Sequence, residues 1–304
     1  MILKRQPADG PSCLVCANPK TDFDFAKKDF AIYRCARCGF QFVYPPPPDT
    51  ASIYSEDYFR GARHGFGYVN YDEDKVAMQA FFEAVLKAME RLLPARGQLL
   101  DVGAATGFFL KLARGRGWVV AGLEISGYAS RLAQRSGLPV TQGTLQSAGY
   151  PSNSFDAVVL LDVIEHLSDP AALVDQCRRI LRPGGLLVIN TPDTSSLWAR
   201  IFKSRWHAFC PPEHLSYFSP SNLGRLLDSR GFKIERKSKL GKRFKPAYVF
   251  SMLSRWQKLR LWERLAKWSE SNFLNRVALP INIRDNFFMI AKKGIAAAND
   301  KPRL

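Results

Sequence analysis

The sequence holds no apolar run long enough to cross a bilayer, and its first ten residues, MILKRQPADG, lack the apolar stretch of a secretory leader. The expectation is a cytoplasmic protein. Cysteine is scarce, six in 304 residues, and in a reducing compartment that excludes a disulfide framework and leaves metal binding or inert burial. Histidine is scarcer: His64, His166, His207 and His214 are the four side chains of that type able to move a proton near neutral pH. Acidic residues fall short of basic ones, 27 against 44, for a net charge of +17. The excess is local. Residues 233–276 carry 13 Lys and Arg against 3 Glu, whereas the first fifty carry 7 basic against 5 acidic residues. With 46% hydrophobic residues, the length suits one full-sized domain with a smaller attachment.

Cys13-Leu-Val-Cys16 and Cys35-Ala-Arg-Cys38 are two C-x-x-C pairs separated by eighteen residues, with Gly39 after the second. Each pair turns tightly enough for both thiolates to reach one ion, the pattern of a tetrahedral zinc ribbon. Four thiolates close the coordination shell, so the expected role is structural. Residues 1–50 form this ribbon. The prolines 45–48 and a polar, Tyr- and Gly-rich stretch make residues 51–73 a linker.

Beyond it, Val76, Phe81, Phe82, Val85, Leu86, Met89 and Leu93 recur at helical spacing. Thereafter strand and helix patterns alternate: LLDVG, then FFLKLARGRG; WVVAGLEIS, then GYASRLAQRSG; FDAVVLLDV, then AALVDQCRRIL; and last the strand PGGLLVINTP. Near-continuous apolar strands between helices predict an α/β fold with a parallel sheet covered on both faces. Ligands then bind beyond the carboxyl ends of the strands.

Asp101, Gly103, Ala105 and Gly107 stand at the first such end, Glu124 at the second and Asp162 and Val163 at the third. A nicotinamide dinucleotide needs G-x-G-x-x-G facing a pyrophosphate. Here the loop is G-A-A-T-G, and Asp101 would meet the phosphate. That carboxylate suits a ligand with a cationic end, as S-adenosylmethionine has. The stretches LLDVGAATG, VVAGLEIS, SNSFDAVVLLDVIEHLSDP and LRPGGLLVINTPD, in this order, resemble class I S-adenosylmethionine-dependent methyltransferases, in particular the bacterial group with an N-terminal zinc ribbon.

The resemblance implies a Rossmann-like sheet of seven strands with the last, near residues 286–292, antiparallel. The methyltransferase domain would then occupy residues 74–237 and 285–294. It also implies that Gly103 and Gly107 line the methionine moiety, that Asp101 supports the loop or the ammonium, and that Glu124 holds the ribose hydroxyls. Asp162 and Val163 would border the cofactor. Ala105 replaces the loop's middle glycine, and Thr144 replaces an aspartate often found beside the adenine.

For the acceptor side, methyl transfer needs an aligned nucleophile and a base for its proton. The aromatic stretch 206–219 should cover the acceptor pocket. His214 is the first candidate base, oriented by Glu213, with a structural ring bonded to backbone as its competitor; His166 and His207 are further candidates. Asp162, Glu165 and His166 are also similar to the E-x-x-E-H pattern of ubiquinone-pathway O-methyltransferases, where these positions resemble metal ligands. The plainer alternative is that Glu165 and His166 cap the next helix. L-D-V-I-E-H stands where amino-methylating nucleic-acid enzymes carry an N-P-P-Y-like turn, which disfavours base methylation.

Residues 238–284 form a basic insertion, with Met252, Leu253, Trp256, Leu259, Trp262, Leu265 and Trp268 at helical spacing among Arg255, Lys258, Arg260, Arg264 and Lys267. Such a helix packs on its own domain, joins a dimer, closes over the acceptor, or lies on an anionic membrane. The leading expectation is methylation, O-directed, of a small-molecule or glycan acceptor, with an anionic one favoured by the charge. An RNA methyltransferase is the runner-up, and a catalytically silent binding protein the third reading.

Overall fold

The computed structural model describes residues 10–59, 78–239, 242–244, 246, 249–250, 253–254, 259–270, 279–281 and 284–295. His64, Val76, Met252, Arg255, Trp256 and Lys258 lie outside the described residues. A four-stranded antiparallel sheet and a seven-stranded mixed sheet share one interior.

The first is an antiparallel sheet of β1 (Thr21–Lys27), β2 (Phe30–Cys35) and β3 (Gln41–Val43). The helix α1 (Glu56–Phe59) follows a 3₁₀ turn over Ala51–Tyr54. Helix α2 (Gln79–Leu92) carries the predicted stripe, burying Phe81, Phe82, Val85, Leu86 and Met89. The strands and helices then alternate as β4 (Gln98–Val102), α3 (Phe108–Gly115), β5 (Val119–Glu124), α4 (Gly127–Arg135), β6 (Val140–Gln142), β7 (Phe155–Leu161), α5 (Pro170–Ile180) and β8 (Leu181–Pro192). After α6 (Leu197–Phe202) come β9 (Ser216–Tyr217), α7 (Pro220–Ser229), β10 (Phe232–Ser238), β11 (Lys242–Phe244), α8 (Arg260–Glu270), β12 (Leu279–Ile281) and β13 (Asn286–Lys293).

The main sheet runs β10-β13-β8-β7-β4-β5-β6. Its strands β8, β7, β4, β5 and β6 are parallel to their neighbours, and β13 runs antiparallel to both β8 and β10. The sequence expectation of seven strands with the last reversed matches this order. Successive residues alternate between two apolar layers, as the pleat requires. Val158 and Leu160 of β7 join one layer, and Ala157 and Val159 the other.

The ribbon sheet does not end at β3. Strand β9, within the aromatic stretch 206–219, pairs with it antiparallel, Gln41 opposite Tyr217 and Phe42 opposite Ser216. Ribbon residues Val15, Phe40 and Phe42 belong to the same apolar cluster as Leu160, Ile164 and Phe218 of the main domain. The described part of the ribbon, residues 10–50, therefore shares a core with the larger domain instead of hanging from it.

Among the described residues no helix is long and apolar enough to cross a membrane. Helix α8 exposes Leu261 and Trp268 and buries Ala266 and Ser269.

Candidate active site

The loop after β4 bends through positive φ at Gly103 (+78°), Ala105 (+49°) and Gly107 (+83°). A Cβ on Gly103 would stand 2.6 Å from Val163 Cγ2, so this loop and the end of β7 abut too closely for any side chain there. Glu124 locks the loop from the next strand. Its Oε2 accepts the Ala105 N–H at 2.8 Å and its Oε1 accepts the Ser126 N–H at 2.8 Å. Burial raises the carboxyl's pKa, against the pull of these backbone donors. Each oxygen retains a second lone pair.

Asp101 is buried on β4, level with Gly122 of β5 and Val159 of β7. Asp162 also has positive φ, +58°, and its carboxylate accepts the Asn190 amide from β8. Thr144 is exposed beyond β6, in a turn closed by its own bonds to Ser147. Buried acids, positive-φ glycines and a Cβ-free approach at three adjacent strand ends fit a ligand with both hydroxyl donors and a cationic group.

The second group of residues lies where β7 and β8 leave the sheet. His166 sits in a 3₁₀ turn over Ile164–His166, and its Nδ1 lies 2.8 Å from the carbonyl oxygen of Glu213. His214 points Nδ1 at the carbonyl of Ala208, also at 2.8 Å. Since a carbonyl only accepts, both rings carry a proton on Nδ1. The ring centroids are 4.8 Å apart, edge to face. Glu165 is buried beside them, its Oε2 accepting the Thr191 hydroxyl at 2.9 Å. One ligand atom from each of Glu165, His166 and His214 falls within 4.8 Å of the others.

Burial pushes Glu165 up to about 7, Asp162 pushing the same way and His166 opposing. Burial, then His166, brings His214 down to about 3. Glu165 and His214 thus favour their neutral forms, which leaves a lone pair on the His214 Nε2.

Several expectations change. Asp162 does not join the carboxylate and histidine group; its place is taken by His214. Glu165 and His166 cap nothing, since helix α5 is capped by Asp169, whose Oδ1 accepts the Ala172 N–H at 3.0 Å. Glu213 does not orient His214 through its side chain. Its carboxylate accepts the Tyr58 hydroxyl at 3.1 Å, while its backbone carbonyl orients His166. His207 stands apart with Asp285, Nε2 to Oδ2 at 3.2 Å, its pKa lowered by burial and supported by that carboxylate.

Sequence reasoning missed the tyrosines. Tyr54 and Tyr58, assigned to a linker, cover this site, with Tyr54 edge-on to His166 at 5.9 Å and to Tyr58 at 5.2 Å. Burial, followed by Glu213, Glu165 and Glu124, holds the Tyr54 phenol strongly protonated. Phe59 continues the cover over Ala105 and Ala129. Two tyrosines four residues apart beside a one-turn helix were the available signal.

At the ribbon, Cys13 and Cys38 Sγ atoms lie 3.6 Å apart, as do those of Cys16 and Cys35. All four Sγ atoms lie within 4.8 Å, spacing that suits one tetrahedral ion. The other two cysteines, Cys177 and Cys210, are separate thiols.

A doubly wound sheet with a glycine-bent loop after its first strand and an acid closing its second defines a cofactor-binding α/β enzyme. Residues 75–237 match the family model described as a methyltransferase domain, over half of the chain, and the chain belongs to that family. It is an S-adenosylmethionine-dependent methyltransferase. An uncharacterised protein of Methanocaldococcus jannaschii is 22% identical over 163 residues, 54% of this chain and 75% of that one. A protein of Mycolicibacterium smegmatis described as an S-adenosylmethionine-dependent methyltransferase is 30% identical over 45% of this chain, which spans about half of it, 52%. The ubiquinone biosynthesis O-methyltransferase of Thiobacillus denitrificans is 25% identical over 49% of this chain and 71% of its own length. In fold, the chain is similar to one from the complex of the Haloferax volcanii Trm112 methyltransferase activator with a methyltransferase, at 13% identity and TM-score 0.52, covering 75% of this chain and 93% of that one.

Proposed function

We propose that this enzyme transfers the methyl group to an oxygen of a small-molecule or glycan acceptor, and that the acceptor reaches the methyl group past Glu165, His166 and His214. The observation that carries the reading is the pair of imidazole rings, each oriented by an Nδ1–H bond to a backbone carbonyl beside a buried carboxyl. S-adenosylmethionine, when bound, supplies a methyl group already activated by a sulfonium. Asp101 and the loop at Gly103, Ala105 and Gly107 would face its amino-acid end, and Glu124 would accept its ribose hydroxyls. Val163 and Asp162 would flank it, with Thr144 near the adenine.

The protein's remaining task is to align the acceptor hydroxyl and take its proton. As the methyl group arrives the acceptor oxygen becomes strongly acidic, and His214, a weak base in its buried place, takes the proton at Nε2 while His166 holds the hydroxyl in line. Glu165, raised by burial to about 7, holds a proton beside the rings below that pH. His207 backs the loop through Asp285. The O-methyltransferase names among the relatives support an oxygen acceptor. The four ribbon cysteines would hold structural zinc, closing its shell, in keeping with the ribbon-bearing group of this family. The basic residues of the insertion favour an anionic acceptor or an anionic membrane surface near it.

The test is transfer of a labelled methyl group to a panel of hydroxylated acceptors, including sugar nucleotides and phenols, by the wild type and by His214→Gln. Transfer to an oxygen that falls at least about 100-fold in the variant, with cofactor binding intact, supports the reading. Label recovered on nitrogen or on RNA, or an unaffected variant, overturns it.

A further inference from the structure

The feature that the function above does not absorb is the union of the two sheets. Cys38 is followed three residues later by β3, and Gly39, at φ +70°, turns the chain so that its N–H donates to the Cys35 carbonyl at 3.0 Å. The Cys35 N–H in turn donates to the carbonyl of Phe40 at 2.9 Å. The second cysteine pair therefore sets the direction in which β3 leaves the turn. From β3, the Val43 N–H donates to the Leu215 carbonyl at 2.9 Å, and Leu215, the residue after His214, donates its own N–H to the Glu165 carbonyl at 2.8 Å. One residue on, the Ser216 hydroxyl donates to the Leu167 carbonyl at 2.8 Å. Phe40 and Phe218 pack with ring centroids 4.9 Å apart.

This chain of bonds runs without a gap from the cysteines through β3 and β9 to both histidines. Strand β9 has two residues, both buried, and β3 is its sheet partner. A two-residue strand has too few ladder bonds to hold its register unaided. We infer that the four-cysteine centre is a positioning element of the acceptor site, fixing through β3 the strand that follows His214 and the Glu213 carbonyl. The inference rests on the reading of His166 and His214 as the acceptor-side pair. It goes beyond a staple for a small domain, because a staple would stabilise the ribbon and leave the histidines alone.

The experiment compares the full-length protein, purified with zinc, with Cys35→Ser and with Cys35→His, which restores a zinc-competent set. A third variant, Val43→Pro, keeps every cysteine but removes the N–H that reaches Leu215. Three readouts are taken: metal content, affinity for S-adenosylmethionine by calorimetry, and ring-nitrogen NMR of the histidines together with amide exchange at Val43 and Leu215. In Cys35→Ser zinc is lost, cofactor affinity stays within about twofold, Leu215 exchange speeds at least about 100-fold, and the two Nδ1–H signals are lost. Cys35→His restores them. Val43→Pro loses the histidine signals while keeping its zinc.

Unchanged Nδ1–H signals and Leu215 protection in a metal-free, cofactor-binding Cys35→Ser protein would overturn the inference, as would native signals in Val43→Pro. If Cys35→Ser does not fold, Val43→Pro decides alone, since it leaves the centre intact. None of these readouts uses the acceptor, so failure of the O-methylation reading leaves a distinct signature: native coupling with no transfer to oxygen.

Discussion

Glu165 and His214 titrate in opposite senses, and their stability contributions should cancel over two pH units. Glu165 is raised from an ordinary 4.5 to about 7, so between those values the folded protein holds a proton that the unfolded chain has released. Its contribution to stability therefore grows as pH falls from 7 to 4.5, by about 1.4 kcal/mol per unit. His214 is lowered from 6.5 to about 3, so the unfolded chain takes up a proton there that the folded protein refuses. Its contribution is complete above 6.5 and is lost as pH falls toward 3, at the same rate. Between 4.5 and 6.5 the two slopes offset each other.

Glu165→Gln unmasks the histidine, because burial and not Glu165 is the main cause of the His214 shift. Relative to wild type, that variant should lose about 3 kcal/mol of stability between pH 6.5 and 4.5, two units at about 1.4 kcal/mol each. His214→Asn should gain by a similar amount over the same range. Urea unfolding followed by tryptophan fluorescence at half-unit steps measures both, since Trp206 is fully buried one loop away and reports on this region. Three parallel stability curves would refute the argument.

Glu124→Ala removes two charge-assisted acceptors from buried backbone N–H groups as well as the ribose partner, so S-adenosylmethionine affinity should fall at least about 100-fold by calorimetry. Gly103→Ala combines positive φ with a 2.6 Å contact on Val163, and should cost about 2 kcal/mol or more in urea unfolding and weaken cofactor binding as well. Tyr58→Phe deletes the hydroxyl that meets Glu213 and should lower stability by about 1 kcal/mol while raising the KM for acceptor more than it lowers kcat. An RNA substrate would give binding that falls steeply with salt, whereas binding of a neutral small molecule by wild type should stay nearly flat from 50 to 200 mM.

The large sheet was legible because its strands are buried on both faces. LLDV and FDAVVLL carry apolar residues at consecutive positions, and helices with clear 3.6-residue stripes separate them. The bent loop after β4 was legible for a related reason: the positive φ of Gly103 and Gly107 and the place of Glu124 at a strand end are both fixed by local sequence. The acceptor side was only half legible. His166 and His214 could be nominated by type, yet their meeting depends on residues 48 positions apart being drawn together by a turn and a two-residue strand, neither of which carries a periodic signal. The tyrosines were hidden for the opposite reason, since a polar, Tyr-rich segment has the composition of a linker and becomes a cover only where Phe59 finds Ala105 and Ala129.

The pairing of β3 with β9 shows why the ribbon's C-x-x-C spacing was readable and its purpose was not. Ligand spacing is a local constraint, set by how tightly a knuckle turns around one ion. Where the following strand docks is decided by which apolar faces remain uncovered: Phe40 and Phe42 have too little ribbon beneath them to be buried within the first fifty residues, and they reach 0% and 2% exposure only in the cluster that includes Phe218. Burial of those two rings brings β3 alongside β9, which begins two residues after His214. The ribbon's small size, the property that makes it need a metal, is also what forces it onto the acceptor site.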